Sequence, residues 1–258
     1  MKQNLNFIAS GETDIGLVKE TNQDSYGVRI AETSYGTMAL AILCGGMGGY
    51  SKGEVASATV VKEFFKWFDT RLPLLCHAVS QDSIFSEWNQ LALQCNQKIS
   101  SYGSSIGITL GTTLTAMLLT EQQYFMIHVG DSRCYEIADS LTVLTKDQTL
   151  VSREVEAGVL TEEAAKTDPR RSVLLQCIGA SEQVVPDFLS GEVKPNAVYL
   201  LCSDGFYHEI TPEEIYGYLS PDRMYQTDLM SANMRALIEL DKQRQERDNI
   251  SVVCVKTC

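Results

Sequence analysis

The chain has 258 residues, 44% of them apolar and 21% charged, proportions that suit a globular fold with a sizeable core. Its formal charge of −12 argues against nucleic acid or an anionic membrane surface as a partner. The opening MKQNLNFIAS has no signal-peptide apolar stretch, no later run could span a bilayer, and no CxxC pair occurs among eight cysteines, so a cytoplasmic protein with reduced thiols is expected.

Residues 7–30 read as two strands around a loop, with Asp24 just ahead of Ser25-Tyr26-Gly27-Val28. The apolar run 38–44 is long enough for a strand buried on both faces. It ends in Gly45-Gly46-Met47-Gly48-Gly49, where glycine permits a close approach of backbone to another group. Ser51-Lys52-Gly53-Glu54 has the spacing of a capping box, and apolar Val55, Val60, Val61, Phe64, Phe65 and Phe68 carry the helix that follows. A second helix is predicted over 81–101, with Gly103 as its stop. Strands follow at 112–119, 124–129 and 133–137, the first two joined through Glu121-Gln122-Gln123. The polar segment 149–172, with short helical patterns at 152–157 and 161–166, reads as a flap. A strand at 197–202 runs into Ser203-Asp204-Gly205, and Thr211-Pro212-Glu213-Glu214 opens a further helix. A helix over 227–245 and a last strand at 250–256 complete the chain. Without internal repeats or linkers, one domain over 1–258 is expected. Strands in hairpin groups with helices between the groups predict an α+β fold of antiparallel sheets covered by helices.

Four aspartates occupy strand ends. Asp131 and Asp204 leave strands; Asp24 and Asp248 enter them. Antiparallel strands can bring such exits and entries to one edge, where four carboxylates would repel one another unless cations held them. Any one of them alone would do no more than cap a turn. Oxygen ligands without His or Cys select hard cations, Mg²⁺ or Mn²⁺. His77, His128 and His208 show no ligand spacing and are read as structural.

These segments resemble the metal-dependent serine/threonine phosphatases of the PPM, or type 2C, family in its short bacterial form. The resemblance is carried by Thr13-Asp14-Ile15-Gly16 through Asn22-Gln23-Asp24, by 45–49 with 53–57, and by Gly111-Thr112-Thr113. It continues through Gly130-Asp131-Ser132-Arg133, Ser203-Asp204-Gly205 and Asp248-Asn249, in order along nearly the whole chain. It implies a sandwich of two antiparallel β-sheets flanked by antiparallel helix pairs. It also implies hydrolysis of phosphoserine and phosphothreonine by a metal-bound water, with two to three Mn²⁺ or Mg²⁺ ions. By the same resemblance, Asp204 and Asp248 hold the first metal. The Gly46 carbonyl and, through waters, Asp24 hold the second, and Asp131 with Asp204 a third. Lys19 stands where the family has a phosphate-gripping arginine; it keeps the charge without the bidentate fork. Gln148 and Asp168 each replace a histidine common in the family.

The largest departure is Gly45, which stands where bacterial members have the aspartate that bridges the two catalytic metals. Reduced metal occupancy and impaired turnover are therefore expected. A monomeric phosphatase acting on phosphoproteins, opposite a serine/threonine kinase, is one reading. The alternative is a pseudophosphatase that binds a phosphoprotein or partner without turning it over.

Overall fold

The computed structural model describes residues 5–47 and 52–258; Gly48, Gly49 and Ser51 of the glycine turn lie outside them. The strands are β1 (Phe7–Asp14), β2 (Ser25–Thr33), β3 (Gly36–Cys44), β4 (Leu114–Leu119), β5 (Gln123–Val129), β6 (Arg133–Ile137), β7 (Leu141–Val143), β8 (Asp187–Glu192), β9 (Val198–Cys202) and β10 (Ile250–Thr257). They form two antiparallel sheets, one ordered β1-β10-β9-β6-β7 and the other β2-β3-β4-β5-β8. The helices are α1 (Gly53–Thr70), α2 (Leu72–Leu75), α3 (Gln81–Ile106), α4 (Leu150–Glu156), α5 (Glu162–Thr167), α6 (Asp204–Tyr207), α7 (Pro212–Leu219) and α8 (Thr227–Gln243).

The sheets pack face to face with helices outside each, so every central strand is covered twice. On β3, Ala39, Ala41 and Leu43 point between the sheets, while Leu40, Ile42 and Cys44 face α1 and α3. That double burial is why the run lacks the polar alternation of a half-exposed strand. Strand β10 repeats the pattern, with Val253 and Val255 turned inward and Val252 and Cys254 turned toward α7 and α8. The α1–α3 layer is pinned by Trp67 against Trp88, edge to face at 5.5 Å, and Glu87 accepts from the Trp67 indole at 2.8 Å. The two-sheet α+β sandwich flanked by helices agrees with the fold read from the sequence.

Several boundaries differ. Helix α3 continues past Gly103 to Ile106, and the stop is Gly107, whose φ of 71° gives the left-handed cap. Gly103 is glycine for a different reason: a Cβ there would lie 2.6 Å from the Ile108 carbonyl. The capping box expected at 51–54 rests on Ser51, which lies outside the described residues; Lys52 takes the cap position at φ 61° with no side-chain bond. Strands β7 and β8 were not legible in the sequence. At the first sheet's edge, β1 and β10 run antiparallel from Phe7↔Thr257 to Asp14↔Ile250, and Asn6 and Cys258 exchange backbone bonds beyond them.

Segment 149–172 folds as α4 and α5, largely exposed, and is closed by Leu150 N donating to the Val173 carbonyl at 2.8 Å. Arg170 bridges it internally through Glu154 and Asp168. Among the described residues no helix is long and apolar enough to cross a membrane.

Candidate active site

Register places the functional end of the sandwich. Ser25 pairs with Cys44 and Leu114 with Val129, while Cys202 pairs with both Val252 and Arg133. The starts of β2, β4, β6 and β10 and the ends of β3, β5 and β9 therefore lie together. A cavity of about 500 Å³ opens there, lined by Lys19, Asp24, Gly45, Gly46, Asp131, Asp204 and Asp248, among others. Every site residue expected from the sequence thus borders one cavity. Gln148 and Asp168 do not: Gln148 accepts from Gly130 N at 2.8 Å and donates to Asp187, and Asp168 is held by Arg170.

Asn249 builds the near wall. It accepts from Gln23 N at 2.9 Å and donates to the Ile15 and Thr21 carbonyls, fixing the loop that carries Lys19 and Asp24. Lys19 Nζ meets Asp248 Oδ1 at 2.8 Å. The Asp248 amide and that of Arg247 both donate to Glu246 Oε1. At Gly46 the backbone passes so close to Gln23 that a Cβ would lie 2.4 Å from its carbonyl, so only glycine fits.

Gly45 has a different environment. Its amide donates to Thr113 Oγ1 at 2.7 Å, and that hydroxyl lies 2.8 Å from Ser132 Oγ. A Cβ on Gly45 would sit 3.3 Å from Thr113 Oγ1, 3.5 Å from Asp24 Oδ1 and 3.7 Å from Ser132 Oγ, so a small cradle of oxygen atoms faces the missing side chain.

The electrostatics are those of crowded acids. Burial pushes the Asp24 carboxyl up to about 7; hydroxyls of Ser251 and Ser203 oppose this, and the Asp204 and Asp248 charges add to it. Its Oδ2 is buried with no hydrogen-bond partner among the described residues. Burial, then the Asp204 and Asp147 charges, raise Asp131 well above the carboxylate range. Asp204 is raised by burial and by Asp248 and Glu246, against the pull of His208. His208 is drawn down by burial, but Glu246, 3.5 Å from its Nδ1, and the charge of Asp204 prevail and raise it.

An orphaned carboxylate oxygen and buried acids raised by one another's charge are suited to holding a cation, and the oxygen-only donors fit a hard one. Among the described residues no three His, Cys, Asp or Glu side chains close into a cage by themselves. Mg²⁺ in particular is bound through one or two carboxylates and keeps several waters, so an open acidic cavity remains suited to it.

Some supporting residues escaped the sequence reading. The Thr113–Ser132 pair under Gly45 joins strands far apart in the chain. Behind Asp131, the Arg133 guanidinium stacks 3.7 Å over the Tyr207 ring and forks onto Asp147, and the Tyr207 hydroxyl donates to the Asp131 carbonyl at 3.0 Å. Thr113, Ser132 and Arg133 lie in the motifs 111–113 and 130–133, but their roles were not read from them, and Tyr207 and Asp147 left no trace in the sequence.

A two-sheet sandwich with helices outside and an acidic cavity at one end defines a phosphatase-type αββα architecture. The family model described as protein phosphatase 2C matches residues 18–239, and the chain belongs to that enzyme family. It is 30% identical over 250 residues to the protein phosphatase PhpP of Streptococcus pneumoniae, covering 94% of each chain. Among solved structures it is similar to the serine/threonine phosphatase Stp1 of Staphylococcus aureus, with 26% identity, a TM-score of 0.85 and coverage of 99% and 97%. It also resembles the catalytic domain of the phosphatase PstP in complex with two manganese ions, at 28% identity, a TM-score of 0.77 and coverage of 98% and 99%.

Proposed function

We propose that the chain, as one domain, hydrolyses phosphoserine and phosphothreonine in proteins with Mn²⁺ or Mg²⁺, in the cytoplasm and opposite a serine/threonine kinase. Gly45 lowers its activity. The observation that carries this reading is the convergence of Asp24, Asp131, Asp204 and Asp248 on one cavity beside Lys19, with Asp24 Oδ2 left unpartnered.

Asp204 and Asp248 would hold one cation, the Gly46 carbonyl and Asp24 a second, and Asp131 with Asp204 a third. When bound, these ions would acidify water and screen the phosphate charge. Lys19 would hold the phosphate as a point charge, able to turn from Asp248 to the ester oxygens but without the fork that fixes their orientation. Asp24 would act through its carboxylate, whose Oδ2 is left without a hydrogen-bond partner among the described residues. Asn249 keeps the loop bearing both residues in place, and the Arg133–Tyr207 stack sets the backbone of Asp131.

The second reading, a pseudophosphatase that binds a phosphoprotein, is favoured by one observation: Gly45 presents no carboxylate to the oxygen cradle around it. Mn²⁺-dependent release of phosphate from a phosphothreonine peptide and from para-nitrophenyl phosphate separates the two. Turnover that vanishes with chelator supports the enzyme; phosphopeptide binding without any turnover supports the binding module.

A further inference from the structure

A second concavity, of about 660 Å³, begins at Asp24, which lines both it and the acidic cavity, and runs away from the site between β2 and α1. The two elements leave the site side by side. Ser25 Oγ lies 3.0 Å from Ser57 Oγ, a Cβ on Gly27 would meet the Phe65 ring at 2.5 Å, and Arg29 stacks 4.1 Å over that ring. Near its outer end Arg29 Nε stands 3.9 Å from Asp69. Strand β2 is an edge of its sheet, so one side of its backbone is open along the groove.

The charge of this groove is opposite to that of the molecule. In a chain of net −12, Arg29, Lys62 and Lys66 line one groove, and beyond Asp24 the only acid among its lining residues is Asp69. Lys62 and Lys66 are exposed, and neither forms an ion pair among the described residues; Glu63 beside them is held instead by Lys98 at 2.5 Å. Two like charges four residues apart work against a helix in isolation. Their placement is therefore not explained by α1 itself.

We propose that the groove docks an extended acidic segment of the phosphoprotein substrate, an assignment that rests on the phosphatase reading above. Lysines at i and i+4 on a helix stand about 6 Å apart. Alternate side chains of an extended chain stand about 7 Å apart, so an acidic pair separated by one residue matches them. From Asp24 to Arg29 the strand rises about 16 Å, which puts the acidic pair roughly four to six residues from the phosphorylated one. The open edge of β2 offers backbone bonds to such a segment, and the lysines and Arg29 give it its charge preference.

The test uses fluorescein-labelled peptides with threonine or phosphothreonine and either Glu-x-Glu or Gln-x-Gln five residues away, on the N-terminal or the C-terminal side. Anisotropy with the unphosphorylated peptides reads docking without catalysis. For one of the two flanks, the Glu peptide should bind about tenfold more tightly than the Gln peptide at low salt, with the difference falling as salt screens it. Lys62→Gln/Lys66→Gln should erase the preference while leaving turnover of para-nitrophenyl phosphate unchanged; the charge-reversing Lys62→Glu/Lys66→Glu should invert it. Equal binding of Glu and Gln peptides on both flanks, or a preference that survives in both double variants, overturns the proposal. Absence of turnover with every substrate overturns the phosphatase reading, and the anisotropy arm still decides whether the groove binds acidic chains.

Discussion

Replacing Gly45 by Asp is the most direct probe of the acidic cavity. Gly45 is not among the residues at positive φ, and the three atoms nearest to a Cβ there are the side-chain oxygens of Thr113, Asp24 and Ser132, at 3.3–3.7 Å, so only the Thr113 hydroxyl must give by a few tenths of an ångström. The new carboxylate would lie about 5 Å from that of Asp24, and at an effective dielectric near 20 two such charges repel by about 3 kcal/mol. Without divalent ions the variant is expected to lose roughly that much stability at pH 8, and less at pH 5, where the acids hold protons. With Mn²⁺ the sign is expected to reverse, because on the proposed reading the same carboxylate would bind cations and screen them from each other. If a second, firmly held ion supplies about 3–6 kcal/mol to the transition state, its recovery is worth about 10²–10⁴ in rate, and a gain of at least tenfold is expected. The assay is a Mn²⁺ titration of phosphopeptide turnover for both proteins, with thermal melts in chelator and in Mn²⁺ alongside. A folded Gly45→Asp protein whose Mn²⁺ affinity, melting shift and turnover all match the parent would refute the reasoning.

Asp204 borders Asp248 on one side and Asp131 on the other in charge terms, so Asp204→Asn should lower the Mn²⁺ stoichiometry by more than one ion; calorimetry showing an unchanged count contradicts this. Asp241 is fully buried with both carboxylate oxygens unpartnered among the described residues, and burial, then the Glu246 and Glu209 charges, push it up to about 9. Its folded-state pKa lies above the unfolded value near 4, so the stability it allows is complete below pH 4 and is lost as pH rises toward 9. Asp241→Asn should therefore gain roughly 2–4 kcal/mol at pH 8, shrinking toward pH 4, and parallel pH–stability profiles for the two proteins would count against it. Segment 149–172, with its short exposed helices, should exchange amide hydrogens far faster than β9, which is wholly buried; equal protection would mean that the segment opens only with the core.

The parts of the fold legible in the sequence were those whose signal is local. The run 38–44 announces β3 because both its faces are covered, and aspartates at strand ends announce the cavity because antiparallel strands return to one edge. Strand β8 escaped because it is an edge strand with only partial burial, so Phe188 and Leu189 stand among polar neighbours. Gly103 misled because a glycine that lets backbone approach backbone looks, in sequence, like one that ends a helix. The hydroxyl cradle depends on Thr113, just ahead of β4 in one sheet, meeting Ser132, just ahead of β6 in the other, which no spacing encodes. Lys62 and Lys66 fit no motif in the sequence; what distinguishes them is the concavity that β2 completes.

The pairing of β1 with β10 brings both ends of the described chain to the same spot, with Asn6 bonded to Cys258, eight residue pairs or about 26 Å from the acidic end. A load applied between those two ends would act across the ladder, meeting its bonds one pair at a time from Phe7↔Thr257 inward, as a zipper opens. The fold would yield there at low force, and the first contacts to part would be the ones farthest from Asp24 and Asp248. A surface tethered through either end would, by the same geometry, leave the cavity pointing outward.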